Sequence, residues 1–99
     1  KAEEMLKQAL TMDEAHPVAN NELGLLYRKA GKFDEARQLY ETVIAIHPDY
    51  APVKRNLGVL CDLYLHDFEC ALQQYREYFS LRPDAKELEI WIADVERRL

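Results

Sequence analysis

Leu23-Gly24 and Leu57-Gly58 stand 34 residues apart, and much of what surrounds the first pair returns around the second. Leu26 matches Leu60 and Tyr27 matches Cys61 at that offset. Phe33, Ala36, Tyr40, Ile46 and Pro48 then match Phe68, Ala71, Tyr75, Leu81 and Pro83 at an offset of 35. One extra residue therefore enters the second copy within "YLHDF", and an insertion is expected in a turn, where the backbone tolerates it. A chain that repeats at this period stacks like units side by side and buries its core between them. Whatever it folds into is built at least twice from the same part.

Within each copy the apolar residues recur at helical spacing. Three glycines and four prolines in 99 residues leave too few turns for an all-β sandwich. The spacing predicts helices over about 1–12, 18–30, 34–46, 52–65, 69–81 and 85–98. Pro48 and Pro83 end the second helix of each copy, because proline donates no backbone bond and restricts the residue before it. Asp34 is expected at the N-cap or in the first turn of its helix, and Arg97 and Arg98 suit a last turn. Gly24 with Ala36, and Gly58 with Ala71, are expected to let the paired helices approach closely. Glycine costs about 1 kcal/mol against alanine in mid-helix, so that close packing has to offset it.

The pattern runs on at both ends. Ala2, Leu6, Ala9, Leu10 and Met12 carry the spacing of Ala36, Tyr40, Val43, Ile44 and Ile46, so residues 1–13 read as the second helix of an earlier copy. Leu88, Trp91, Ile92, Val95 and Leu99 make residues 84–99 the first helix of a further one. The complete copies are 17–50 and 51–83. Leu6, Ala9 and Leu10 then lack the helix that a full unit supplies, and Ile90 and Leu99 lie at the other edge. Self-association through these ends is an expectation of the pattern.

Taken together, these units resemble tetratricopeptide repeats, helix–turn–helix units of about 34 residues. Leu23, Gly24, Tyr27, Gly31, Phe33, Ala36, Tyr40 and Pro48 carry the resemblance in one copy, and Leu57, Gly58, Phe68, Ala71, Tyr75 and Pro83 in the next. Asn20 and Lys54 stand where the family commonly has tryptophan, Cys61 replaces the tyrosine, and the second copy lacks the turn glycine. The resemblance implies an all-α, right-handed superhelix (an α-solenoid) of antiparallel helix pairs, with about six helices here. The first helix of each pair would line a concave surface.

The chemistry of the chain excludes more than it offers. Its net charge is −5 and no basic block occurs, whereas nucleic-acid affinity rests on Lys and Arg neutralising phosphates. No run of 18 apolar residues is present, so no membrane-inserted helix is expected. Ser80 is the only serine and has no histidine beside it. Cys61 or Cys70 with His66 is the one nucleophile–base pairing, and no third group orients it, so no enzyme is expected. Cys61, Asp62, His66, Asp67 and Cys70 do not have the spacings that gather metal ligands, and no cofactor is implied. Cys61 reads as a small apolar core residue. Whether it is free or bonded to Cys70 is open, since a disulfide needs Cβ atoms about 4 Å apart. His16 and His47, each before a proline, read as exposed residues of helix ends or loops, and Trp91 as core.

Projecting the repeat register onto the concave surface places Val18, Asn21, Leu25, Arg28 and Lys29 inward in one copy. Pro52, Arg55, Val59, Asp62 and Leu63 follow in the next, then Glu87, Ile90, Asp94 and Arg97. From these the candidate peptide-binding residues are Asn21, Leu25, Arg28, Arg55, Asn56, Val59, Asp62, Ile90 and Asp94. An apolar strip beside guanidiniums suits a protein or peptide partner better than a small polar metabolite. Some members of the family clamp the C-terminal carboxylates of heat-shock chaperones with Lys, Asn and Arg. In this register only Asn56 matches that set. Asn21 stands for a Lys, Leu25 for an Asn, and Glu87 and Trp91 for the last two basic positions, so chaperone tails are not the expected partner. The expected function is a non-catalytic protein-interaction module, the alternative being a structural spacer or self-assembly element. The ending "IWIADVERRL" is similar to bacterial repeat proteins of the cell envelope, and both that compartment and the cytoplasm stay open.

Overall fold

Among the described residues six helices follow one another along the chain. They are α1 (Ala2–Met12), α2 (Pro17–Lys29), α3 (Phe33–Ile46), α4 (Ala51–Val59, running on as a π-helical segment over Leu60–Leu65), α5 (Phe68–Leu81) and α6 (Glu87–Arg98). The computed structural model describes residues 2–13 and 16–99. Residue 1, where the first helix was expected to start, lies outside them. α2 pairs with α3 and α4 with α5, while α1 packs on α2 and α6 on α5. The result is an all-α solenoid with extents of 40 × 26 × 20 Å.

The local reasons for these helices are legible in the residues. α2 opens with Pro17, whose fixed φ suits a first helical position, and with His16, whose Nδ1 accepts a hydrogen bond from the Ala19 N–H at 3.1 Å. His16 is therefore a helix cap, half-buried, and not an exposed loop residue. α5 opens on Asp67, whose carboxylate accepts from the Cys70 N–H at 3.2 Å. Asp34 lies in the first turn of α3, where Lys32 holds the cap position.

The core runs along the interface of the pairs: Tyr40, Val43, Val53, Leu57, Leu60, Cys61, Tyr75, Leu88 and Val95, with Ala36 and Ala71. The small residues do serve close packing, but the partner differs from the expected one. A Cβ on Gly24 would lie 2.4 Å from Cε1 of Tyr40, and one on Gly58 would lie 2.6 Å from Cδ1 of Tyr75. Each glycine makes room for a tyrosine ring rather than for the alanine one turn away. Asn20, in a tryptophan position, is buried and donates to the His16 carbonyl at 2.9 Å. Lys54, in the other, is 4% exposed and reaches Glu77 on α5 at 2.5 Å. That bond holds the Glu77 carboxyl below its ordinary pKa.

The extra residue of the second copy is not confined to the turn. It is absorbed by widening the end of the first helix: the backbone passes to π-helical geometry over Leu60–Leu65, and the Asp67 N–H reaches back to the Cys61 carbonyl at 2.8 Å. In the first copy the matching bond, Lys32 N–H to the Tyr27 carbonyl, closes a ring one residue shorter at the same 2.8 Å. A single insertion in a helix is most easily housed as a π-turn, because the remaining backbone bonds survive. His66 ends this segment with φ 54°, where the first copy uses Gly31 at φ 81°. The wide turn also brings Cys61 to Cys70, with Cα atoms 6.0 Å apart and the sulfurs bonded. Cys61 is thus buried as expected, and the question of its thiol closes as a disulfide.

Candidate functional site

The first helices of the units, α2, α4 and α6, come together around a cleft of about 500 Å³. Of the nine candidate residues, Arg28, Arg55, Val59, Asp62, Ile90 and Asp94 line it. They reach it because inward-facing positions on α2, α4 and α6 recur at helical spacing. Leu25, half-buried on α2, does not border the cleft. Asn21 and Asn56 are committed to each other: the Asn56 side-chain amide donates to the Asn21 Oδ1 at 2.8 Å. That bond ties α2 to α4 across the two repeats.

The floor of the cleft is apolar and its walls are charged. Val59, Leu63 and Ile90 form the apolar part, and Ile90 is 71% exposed. Trp91, read from sequence as core, packs against the core with one side of its indole and borders the cleft with another. Its ring lies 5.5 Å from that of Tyr75, and the Arg55 guanidinium sits 5.1 Å from its centroid. The Arg28 guanidinium lies 5.4 Å from the ring of Tyr64. Stacking on a ring engages the face of a guanidinium and leaves its in-plane N–H donors available.

The two acids are bound within the fold. Asp62 accepts a hydrogen bond from the Tyr75 hydroxyl at 3.0 Å and pairs with Arg98 at 3.2 Å. Asp94 pairs with Arg97 at 3.0 Å and with Arg98 at 3.1 Å. Burial, then the charge of Asp62, push the Tyr75 phenol far above its ordinary value, so it stays protonated and donates. Burial likewise raises Tyr40, to about 12, against the opposing charge of Arg28.

Leu63, Tyr75, Trp91 and Arg97 are the lining residues that the candidate set left out, although the repeat register places Leu63 and Arg97 inward. Tyr75, read from sequence only as the counterpart of Tyr40, lies in the core and borders the cleft as well. Trp91 follows Ile90 directly, and an indole on a helix is wide enough to cover the stripe and reach past it. The sulfurs of Cys61 and Cys70 and a carboxylate oxygen of Asp67 lie within 4.8 Å of one another. Both sulfurs are spent in the disulfide, which leaves no thiolate to ligate.

Comparison with known proteins places this arrangement. A sequence model described as tetratricopeptide repeat matches residues 1–61. Protein FlbA of Caulobacter vibrioides is 31% identical over 84 residues, an alignment that covers 85% of this chain and 14% of that protein's own length. The Sgt2 TPR domain from Aspergillus fumigatus superposes with a TM-score of 0.84 at 17% identity, over 97% of this chain and 64% of that one. At that identity the superposition speaks for the fold alone.

Proposed function

The chain belongs to the tetratricopeptide repeat family, whose fold is that of protein-interaction modules, and we propose that it binds an extended segment or helix of a partner protein in the α2–α4–α6 cleft. The observation that carries this reading is the apolar strip of half-buried Val59 with exposed Leu63 and Ile90 on the floor of the cleft, with guanidiniums at its rim. Exposed apolar surface that is contiguous and rimmed by charge marks a place where something docks. A peptide backbone laid along such a strip has apolar anchors for alternate side chains and charges to fix its direction.

A second reading has its own support. Met5 and Met12 of α1 are 71% and 91% exposed, and FlbA is several times longer than this chain. A repeat whose edge is apolar and whose relative is long fits a spacer stacked in an array. Replacing Val59 and Ile90 with aspartate separates the two. Under the docking reading the double variant, with unchanged helicity, loses the proteins that the wild-type chain captures from a lysate. Retained capture, together with a mass that rises with concentration in sedimentation equilibrium, would favour the spacer.

A further inference from the structure

Charge in the cleft divides unevenly. Asp62 and Asp94 are answered from inside the fold by Arg97, Arg98 and the Tyr75 hydroxyl. Across the cleft Arg28 and Arg55 are not: among the described residues neither forms an ion pair, and each rests against an aromatic ring. The Nε of Arg28 is buried and finds no hydrogen-bond partner among the described residues, and the same holds for the hydroxyl of Tyr40.

The repeat explains why. Arg28 occupies the position that Asp62 holds in the next copy, and Tyr40 the position of Tyr75. The second copy pairs a phenol donor with a carboxylate. In the first copy a guanidinium replaces the carboxylate, so the same place carries two donors and no acceptor. A buried polar group left unmatched costs about 1–3 kcal/mol in a typical fold, and the Arg28 guanidinium, which borders the cleft, meets no carboxylate among the described residues.

We propose that the cleft selects an extended acidic segment of a partner protein, with carboxylates meeting Arg28 and Arg55 and an apolar side chain between them resting on Val59 and Ile90. This rests on the docking reading above and adds the chemistry of the partner. The net charge of −5 does not oppose it at close range, because exposed charges are screened beyond about 8 Å at physiological ionic strength. Arg28 and Arg55 are also distinct from the positions at which the chaperone-tail clamp was sought, so the recognition belongs to this chain's own groove.

The test is selection of a random-peptide phage library on the immobilised chain, followed by fluorescence anisotropy with the synthetic peptides it yields. The expected peptides carry Asp or Glu on either side of an apolar residue. Amidating those acids, or making Arg28→Gln with Arg55→Gln, should weaken binding about tenfold or more, the effect of losing a charge-assisted hydrogen bond. The amidated peptide should bind both forms of the protein alike. Circular dichroism checks that the variant folds, and Arg28→Lys with Arg55→Lys keeps the charge while removing the fork, so it should retain part of the preference. Selected peptides without acids, whose binding still falls on Val59→Ser with Ile90→Ser, would overturn the inference and leave the docking reading standing. No enrichment, or binding indifferent to both pairs of substitutions, would overturn both.

Discussion

Two copies of one unit lie side by side in this chain and solve the same geometric problem differently. The first turns on a glycine, keeps an ordinary α-helix to its end, and holds no disulfide. The second places histidine at the left-handed position, opens its helix into a π-turn, and joins that turn to α5 through Cys61–Cys70. Beneath the cleft the second copy matches Tyr75 with Asp62, whereas in the first the Tyr40 hydroxyl and the Arg28 Nε find no partner among the described residues. The difference teaches that the repeat pattern specifies helix pairing, while the residues between its signature positions decide how each copy closes its turn and which of its polar groups are matched within the fold.

The largest effect is expected where the copies agree. Gly24→Leu and Gly58→Leu each drive a side chain into a tyrosine ring that already lies 2.4–2.6 Å from where a Cβ would sit. Each should destabilise the chain by about 3 kcal/mol or more. Gln38→Leu, exposed on α3, should change stability by less than about 0.5 kcal/mol. Urea titrations of the three variants measure the comparison. Similar midpoints would mean that the tyrosine rings can move aside, and that the shared contact does not hold the pairs together.

The next prediction separates the copies. The disulfide closes a separation of nine residues, and on the chain-entropy account a loop of that size stabilises by about 2–3 kcal/mol. Reduction should lower stability by that amount, with the loss concentrated in α4 and α5. Hydrogen exchange should therefore quicken around Leu60–Leu65 before it quickens at the matching end of α2. Equal acceleration in both copies would show that they unfold as one cooperative unit.

How much of this was legible in the sequence depends on the length scale. Helix ends were readable to within a residue or two because Pro48, Pro83 and the 3.6-residue spacing of apolar side chains act locally. The fate of the inserted residue was not readable. A π-turn and a longer loop have the same sequence, and the choice rests on which backbone bonds survive around Cys61. The commitment of Asn21 to Asn56, and of Asp62 to Arg98, depends on side-chain reach between helices, whereas Asp94 meets Arg97 and Arg98 on its own helix. A register projection places such residues on a face without saying whether they are already engaged. Lys54 was visible as a departure from the family pattern, but its partner Glu77 lies 23 residues away on another helix.

A smaller effect distinguishes the two tyrosines. Tyr75→Phe removes the donor to a buried carboxylate and should cost about 1–2 kcal/mol. Tyr40→Phe removes a hydroxyl that has no partner among the described residues, so it should be neutral within about 0.5 kcal/mol or slightly stabilising. Thermal midpoints decide it, since one kcal/mol moves a domain of this size by about 4–8 °C. A matching loss for Tyr40→Phe would show that its hydroxyl is satisfied in solution, and would weaken the case that the first copy awaits an acceptor from a partner.

The smallest expected effect lies at the turns. Gly31 and His66 both sit at positive φ, 81° and 54°, in a region that costs an L-residue with a Cβ about 1–2 kcal/mol. Gly31→His should therefore destabilise by about 1 kcal/mol. The reverse change, His66→Gly, recovers that strain but frees the unfolded backbone, which offsets about 0.5–1 kcal/mol of the gain. It also removes the imidazole that stacks on Phe68 with centroids 6.0 Å apart. The net expectation is stabilisation of a few tenths of a kcal/mol, read as the difference in urea midpoint between His66→Gly and wild type. A loss instead would mean that the histidine is held by its stacking on Phe68, and that the second copy replaced a backbone solution with a side-chain one.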